Sequence, residues 1–270
     1  MGKIVGGFGI PHVLFDPDGV KDQADRIFDG LLEIRRRIRE LSPDVLVLAS
    51  NDHFNNFNLA LQAPFILGVA DEYVPLGDMG IPKKTFKGHR DFAESFVRFA
   101  ATKGFDLAQA EEIEPDHGVA LPLLLLNTEA TIPVVPLYVN VGIEPPPSPA
   151  RSWALGLALK EMVETQRPAK EKVVVVGAGG LSHWLCVPEE GRVNPEFDLD
   201  VIGKLISGRG RELSALTSEE IREKAGNGGL EVTSWIFMAG CLPGAQGKKV
   251  FYEPIPKWIT GMGAVALGPL

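Results

Sequence analysis

Thiols are scarce in this chain of 270 residues: only Cys186 and Cys241 carry one. They are too far apart for a Cys-x-x-Cys metal or redox motif and too few for a disulfide framework, which fits reduced thiols in a cytoplasm. Positive charge is in deficit, with 27 Lys and Arg against 35 Asp and Glu and a formal net charge of −8. No basic surface is therefore expected to receive a phosphate backbone, and nucleic acid is excluded as a partner. Long apolar runs are absent too. The longest, such as Leu121 to Leu126, fall far short of the roughly 20 residues that span a bilayer. The opening Met1-Gly2-Lys3-Ile4-Val5-Gly6 has one lysine, no extended apolar stretch, and Gly6 where myristoylation requires Ser or Thr, so neither export nor lipidation is expected. A cytoplasmic protein without a membrane partner is the expectation. Histidine is not enriched, at five residues, so any argument from histidine rests on position.

What is present is alternation. Lys3 to Ile10 reads as a strand running into Pro11-His12, and an amphipathic helix follows from Ala24 through Ile27, Leu31, Ile38 and Leu41 until Ser42-Pro43 stops it. Asp44 to Ala49 is almost wholly apolar, the pattern of a strand buried on both faces, and opens into Ser50-Asn51-Asp52-His53. Pro64 to Pro82 shows no sustained period and reads as a surface excursion, with Asp71 to Lys84 as a lid. Helices are expected over Gly88–Lys103 and Val119–Asn127, a strand over Ile132–Val139 and a helix over Arg151–Thr165. The strand Lys172–Val176 empties into Gly177-Ala178-Gly179-Gly180-Leu181-Ser182-His183. Further helices are expected at Glu196–Ile206, at Ser218–Lys224 and through Glu231, Trp235 and Met238, with a strand in Lys249–Leu267. No linker, composition break or repeat interrupts this order. The expectation is one α/β domain over residues 1–270, with a mostly parallel central sheet flanked by helices and its active site at the strand carboxyl ends.

His12, His53 and His183 all fall at such ends. His117 lies in Asp116-His117-Gly118, where a neighbouring carboxylate can fix a tautomer. His89, among charges at a helix start, reads as a surface residue. Glu231 stands in an otherwise apolar helix, and a buried carboxylate there must be paired, protonated or bound to a cation. Two imidazoles and one carboxylate suit Fe(II), with Mn(II) also conceivable. The same donors suit a zinc or other divalent-metal hydrolase, or a binding protein without turnover. Spacing alone leaves these open. Gly177-Ala178-Gly179 has Ser182 in place of the third glycine of a dinucleotide fingerprint and is discounted. Ser182 beside His183 is no dyad, because adjacent residues on an extended chain point apart.

Ile10-Pro11-His12, Asn51-Asp52-His53, Lys87-Gly88-His89, Asp116-His117-Gly118 with Pro122-Leu123, Gly179-Gly180-Leu181-Ser182-His183, Asn194-Pro195-Glu196-Phe197-Asp198 and Gly229-Leu230-Glu231 with Trp235 together resemble the class III extradiol ring-cleavage dioxygenases, the family of the protocatechuate 4,5-dioxygenase catalytic subunit. The resemblance runs in order from residue 4 to about residue 241. It implies one non-haem Fe(II) at His12, His53 and Glu231, with His183 as catalytic base and His117 as a second acid/base or substrate-hydroxyl contact. O2 is then the co-substrate and a catechol-like, aminophenol or dihydroxypyridine ring the substrate, opened to a semialdehyde. Asn51 and Asp52 then orient His53, with Ser182 beside the base or the substrate. No segment matches the small subunit that caps the protocatechuate enzyme, so a homodimer or higher homo-oligomer, or a separate small capping subunit, is expected.

Overall fold

Burial on both faces of a sheet leaves no polar side to alternate with, so central strands read as unbroken apolar runs. In the computed structural model, which describes residues 1–268, the chain runs through Lys3–Ile10 (β1), Lys21–Leu41 (α1), Val45–Ser50 (β2), Phe65–Gly68 (β3), Glu72–Tyr73 (β4), Phe86–Lys87 (β5), Arg90–Thr102 (α2) and Ala108–Ala110 (β6). It continues through His117–Leu126 (α3), Val134–Val139 (β7), Pro149–Gln166 (α4), Lys172–Ala178 (β8), Pro195–Ile206 (α5), Ser218–Ala225 (α6), Val232–Cys241 (α7), Gly247–Ile255 (β9) and Thr260–Leu267 (β10). Eight strands form one sheet in the order β6-β3-β7-β2-β8-β1-β10-β9, while β4 and β5 pair separately. The pairings β1–β8, β8–β2, β2–β7 and β3–β6 are parallel. Those of β1–β10, β10–β9 and β3–β7 are antiparallel. The α/β architecture with a mostly parallel sheet is as the alternation predicts.

Successive side chains of a strand face opposite ways, so β8 serves two cores. Val173 and Val175 pack with Trp235, Phe237 and Leu159 on the face covered by α4 and α7. Val174 and Val176 pack with Ile27, Leu31, Ile34 and Ile38 of α1 and with Leu123 of α3 on the other. α1 ends where Ser42 turns left-handed, at φ 48°, ahead of Pro43. No helix among the described residues is long and apolar enough to cross a membrane.

Three expectations change. The excursion read over Pro64–Pro82 contains β3, a buried strand between β6 and β7. Four residues are too few to show a period. The remainder carries β4 and a 3-10 turn, Asp78–Gly80, that returns to the site. Lys249–Leu267 is a pair of antiparallel strands rather than one, because Pro256 begins a 3-10 turn and Ile259 takes a left-handed conformation at φ 54°. Glu231 does not lie inside its helix. It stands at the head of α7, immediately before Val232, where a carboxylate is favoured by the helix dipole.

Candidate active site

Because β1, β2 and β8 run parallel, their carboxyl ends open on the same edge of the sheet, and the residues that follow them converge there. His12 follows β1, His53 follows β2, and His183 follows β8. His117 is the first residue of α3, and Glu231 precedes α7. All five line one pocket of about 230 Å³.

The Glu231 carboxylate is the centre of the group. It is 3% exposed, and its Oε2 accepts the Gly180 N–H at 2.8 Å. His12 Nε2 lies 3.3 Å from Oε2, His53 Nε2 lies 3.4 Å from Oε1, and His183 Nε2 lies 3.8 Å from Oε2. One ring nitrogen from each of His12, His53 and His117 falls within 4.8 Å of the others. The His53 and His117 rings stack with centroids 4.0 Å apart. Burial pushes the Glu231 carboxyl upward, but the facing His12, His53 and His183 imidazoles outweigh it and hold the group ionised below the usual carboxylate range.

Each imidazole is held by its other nitrogen. Ser50 Oγ donates its one proton to the Gly118 carbonyl at 2.7 Å, so the 3.2 Å contact with His12 Nδ1 is an N–H donated by the ring. His53 Nδ1 donates to Asp116 Oδ2 at 2.9 Å. His117 Nδ1 donates to Asp78 Oδ2 at 2.6 Å, and His183 Nδ1 donates to the Leu181 carbonyl at 2.9 Å. In every case Nε2 is left to the pocket. Burial drives His12 down to about 3, against the pull of Glu231, so its ring is neutral. Burial also lowers His53, but hydrogen bonds and charge from Asp116 and Glu231 prevail and raise it to about 10. A cation bound at Nε2 would displace that proton.

The donors fit a divalent metal. A buried carboxylate faced by three imidazole nitrogens, with no Lys or Arg in its ion pairs among the described residues, is a seat for a cation that takes the place of the His53 proton. Two Nε2 lone pairs and a carboxylate at one point are the donor set of a facial iron site with open positions. Backbone shape is fitted around these groups. Gly179 has φ +112°, and a Cβ there would come within 2.8 Å of Glu231 Oε2. At Gly228 a Cβ would lie 2.0 Å from His183 Nε2.

Four expected contacts fall elsewhere. Asp52 accepts the backbone N–H groups of Asn56 at 3.1 Å and Phe57 at 3.0 Å, so it builds the loop after β2 rather than orienting His53. Asn51 is buried with its Oδ1 unpartnered and lines, with Asp52, a second cavity beyond His53 and Glu231. The group that orients His53 is Asp116, and the carboxylate on His117 is Asp78, not its neighbour Asp116. Ser182 is fully buried, donates to Asp198 Oδ2 at 2.8 Å and accepts the Asn194 N–H at 2.7 Å. It therefore anchors the loop under His183 and does not face the pocket. His89 is the N-cap of α2, accepting the Phe92 N–H at 3.3 Å, away from the site. Asp78 lies 39 residues from His117 in sequence, and nothing local signals that pairing.

Residues 9–263 match the family described as the catalytic LigB subunit of aromatic ring-opening dioxygenase. The chain is 27% identical, over 98% of its length and 94% of the relative's, to a 2,3-dihydroxyphenylpropionate/2,3-dihydroxicinnamic acid 1,2-dioxygenase of Photorhabdus laumondii. It is 29% identical to the protein of the same name from Rhodococcus jostii, over 90% of each chain. Among solved structures, an uncharacterized protein from Escherichia coli K12 superposes with a TM-score of 0.68 at 16% identity, covering 98% of this chain and 100% of that one, a likeness of fold. Chain-wide agreement of this kind decides between the dioxygenase and the hydrolase that the donor set by itself allows: the protein belongs to the LigB family of aromatic ring-opening dioxygenases, the class III extradiol enzymes.

Proposed function

We propose that this chain uses Fe(II) held by His12, His53 and Glu231 to open the ring of a monocyclic catechol-type substrate with O2, yielding a semialdehyde. The observation that carries the reading is the pair of Nε2 atoms at 3.3 and 3.4 Å from the two oxygens of one buried carboxylate, with each ring tied back through Nδ1. Mn(II) fits the same donors. When bound, the metal supplies Lewis acidity to a catechol's hydroxyls and an electron path between ring and O2.

The chain's own residues do the rest. His183, with Nδ1–H on the Leu181 carbonyl, offers Nε2 as the base for a substrate hydroxyl. His117 is the second acid/base: a proton taken at its Nε2 makes a cation that the Asp78 carboxylate, 2.6 Å from Nδ1, stabilises. The relatives' names support a 2,3-dihydroxyphenyl ring. Cys186 and Cys241 remain unpaired thiols, in keeping with work in the cytoplasm. A homodimer or higher homo-oligomer, or a separate small subunit over the pocket mouth, belongs to the same proposal and is measured as mass in solution.

The test is anaerobic purification, loading with Fe(II), and measurement of O2 uptake and yellow ring-fission product with protocatechuate, gallate, homoprotocatechuate, dihydroxyphenylpropionate, aminophenol and alkylcatechols. One strong substrate with stoichiometric O2 is expected, and His53→Ala and Glu231→Ala should each lose the iron. Full iron content and activity in both variants would sink the assignment.

A further inference from the structure

The five site residues form the floor of the pocket, and its walls are of a different chemistry. Val13, Phe15, Met79, Leu185, Trp258 and Ile259 line the rest of it with Gly180 and Thr260, whose hydroxyl is the one polar side-chain group they add, and no Lys or Arg is among the described residues that line it. Phe15 and Met79 stay 39% and 53% exposed and so present apolar surface at the rim, while Trp258 behind them is 3% exposed and part of the core. Trp258 directs its one polar atom away, donating Nε1–H to the Asp16 carbonyl at 2.9 Å, and meets Phe15 edge to face with centroids 6.2 Å apart. Met79 takes a left-handed conformation, φ 51°, beside Asp78. The hydrogen bonds that Asp78 accepts from the His117 backbone N–H at 3.2 Å and from Nδ1 at 2.6 Å hold this part of the rim in register with the floor. Lys257, next to Trp258, turns its ammonium to Asp18.

The other opening offers a carboxylate no better place. The second cavity shares His53, Leu185 and Glu231 with the first and adds Asp52 and Glu144. Its one guanidinium, Arg222, is already paired with Glu144. A substrate carboxylate would meet like charge there and apolar surface in the pocket, and an unpaired anion in such surroundings is strongly disfavoured.

We propose that the substrate is a catechol whose ring substituent is uncharged and apolar, alkyl or aryl, held by the wall of Val13, Phe15, Met79, Leu185, Trp258 and Ile259. This rests on the catechol dioxygenase reading above, and it separates the chain from relatives named for phenylpropionate and cinnamic acid substrates.

The experiment uses 3-propylcatechol and 3-(2,3-dihydroxyphenyl)propionate, which share ring and chain and differ in the terminal charge. Anaerobic calorimetry on the iron-loaded enzyme reads binding, and O2 uptake separately reads kcat/KM. Propylcatechol should bind at least tenfold tighter and, where turned over, show at least tenfold higher kcat/KM. Met79→Lys, which places a cation on the exposed rim, should move both ratios at least tenfold toward the propionate. Equal or tighter binding of the propionate, binding of neither catechol, or ratios unmoved by Met79→Lys would overturn the proposal. A tenfold binding preference for propylcatechol without O2 consumption would uphold the apolar wall and overturn the dioxygenase reading. Brisk turnover with the propionate preferred would do the reverse.

Discussion

Every imidazole in the pocket has two ends, and the one turned away decides what the other can do. An acceptor on Nδ1 fixes the proton there, aims the ring and raises the basicity of Nε2. Asp116 is the strongest such acceptor at the proposed metal. It takes His53 Nδ1–H and the His53 backbone N–H, both at 2.9 Å, and caps α3 through the Gly118 N–H at 3.0 Å. Asp116→Ala should weaken Fe(II) binding about 10- to 100-fold, as loss of such partners commonly does. Loss of the cap should also reduce stability by about 1 kcal/mol. Anaerobic metal titration and thermal melts read the two separately, and unchanged affinity would show that His53 needs no orienting group. Gly228 bears on His183 instead. Gly228→Ala brings a methyl against Nε2, and if His183 is displaced from its proposed role as general base kcat should fall on the order of 10²-fold while metal content stays full. At this scale the sequence exposes one half of each interaction. His12, His53 and His183 are legible because polar residues abruptly end apolar strands. Asp116 and Asp78 are not, because they reach their histidines across 63 and 39 residues of chain. Adjacency suggested the wrong partner for His117.

Among the elements, α7 ties the site to the sheet. Trp235 donates Nε1–H to the Gly179 carbonyl at 2.9 Å, and a Cβ on Gly9 would lie 2.6 Å from its ring, so β1, the turn after β8 and the head of α7 are locked together. Trp235→Phe keeps a ring but strands a buried carbonyl, a loss of about 1–3 kcal/mol. Since that carbonyl sits one residue from the N–H that holds Glu231, Fe(II) affinity should fall as well. Phe237→Ala, in the core on the same helix, should cost more stability, about 3–5 kcal/mol, and leave affinity intact below the melting transition. Denaturant unfolding with metal titration on both variants separates packing from positioning; equal loss of affinity would make α7 a packing element alone. Legibility among elements follows length and burial. β2, β7, β8 and α1 announce themselves, as five or more apolar residues in a row or several turns of one stripe. β3 and β6, with four and three residues, are too short for any period to emerge. They are strands because the edge beside β7 is there to be paired.

For the molecule as a whole, the cluster of imidazoles around a buried carboxylate is a site that folding must assemble before the proposed ion can bind. A ligand that binds the folded chain alone stabilises it by RT ln(1 + [L]/Kd), about 2.7 kcal/mol at one hundred times Kd. With about 2–4 °C in Tm for each kcal/mol in proteins of 150–250 residues, saturating Fe(II) should raise the melting temperature by roughly 5–10 °C. The formal net charge of −8 assists the approach of cations in general, so the increment must be shown to arise at the site. Anaerobic scanning calorimetry with and without Fe(II) measures it. A chelator should reverse the shift. Glu231→Gln, which removes the charge and keeps the shape, should abolish it while raising the stability of the metal-free protein little or not at all, since its His12, His53 and His183 neighbours then lose their counter-charge. A melting temperature indifferent to iron in the parent protein, or an equal shift in the Gln variant, would place the metal somewhere other than among His12, His53 and Glu231.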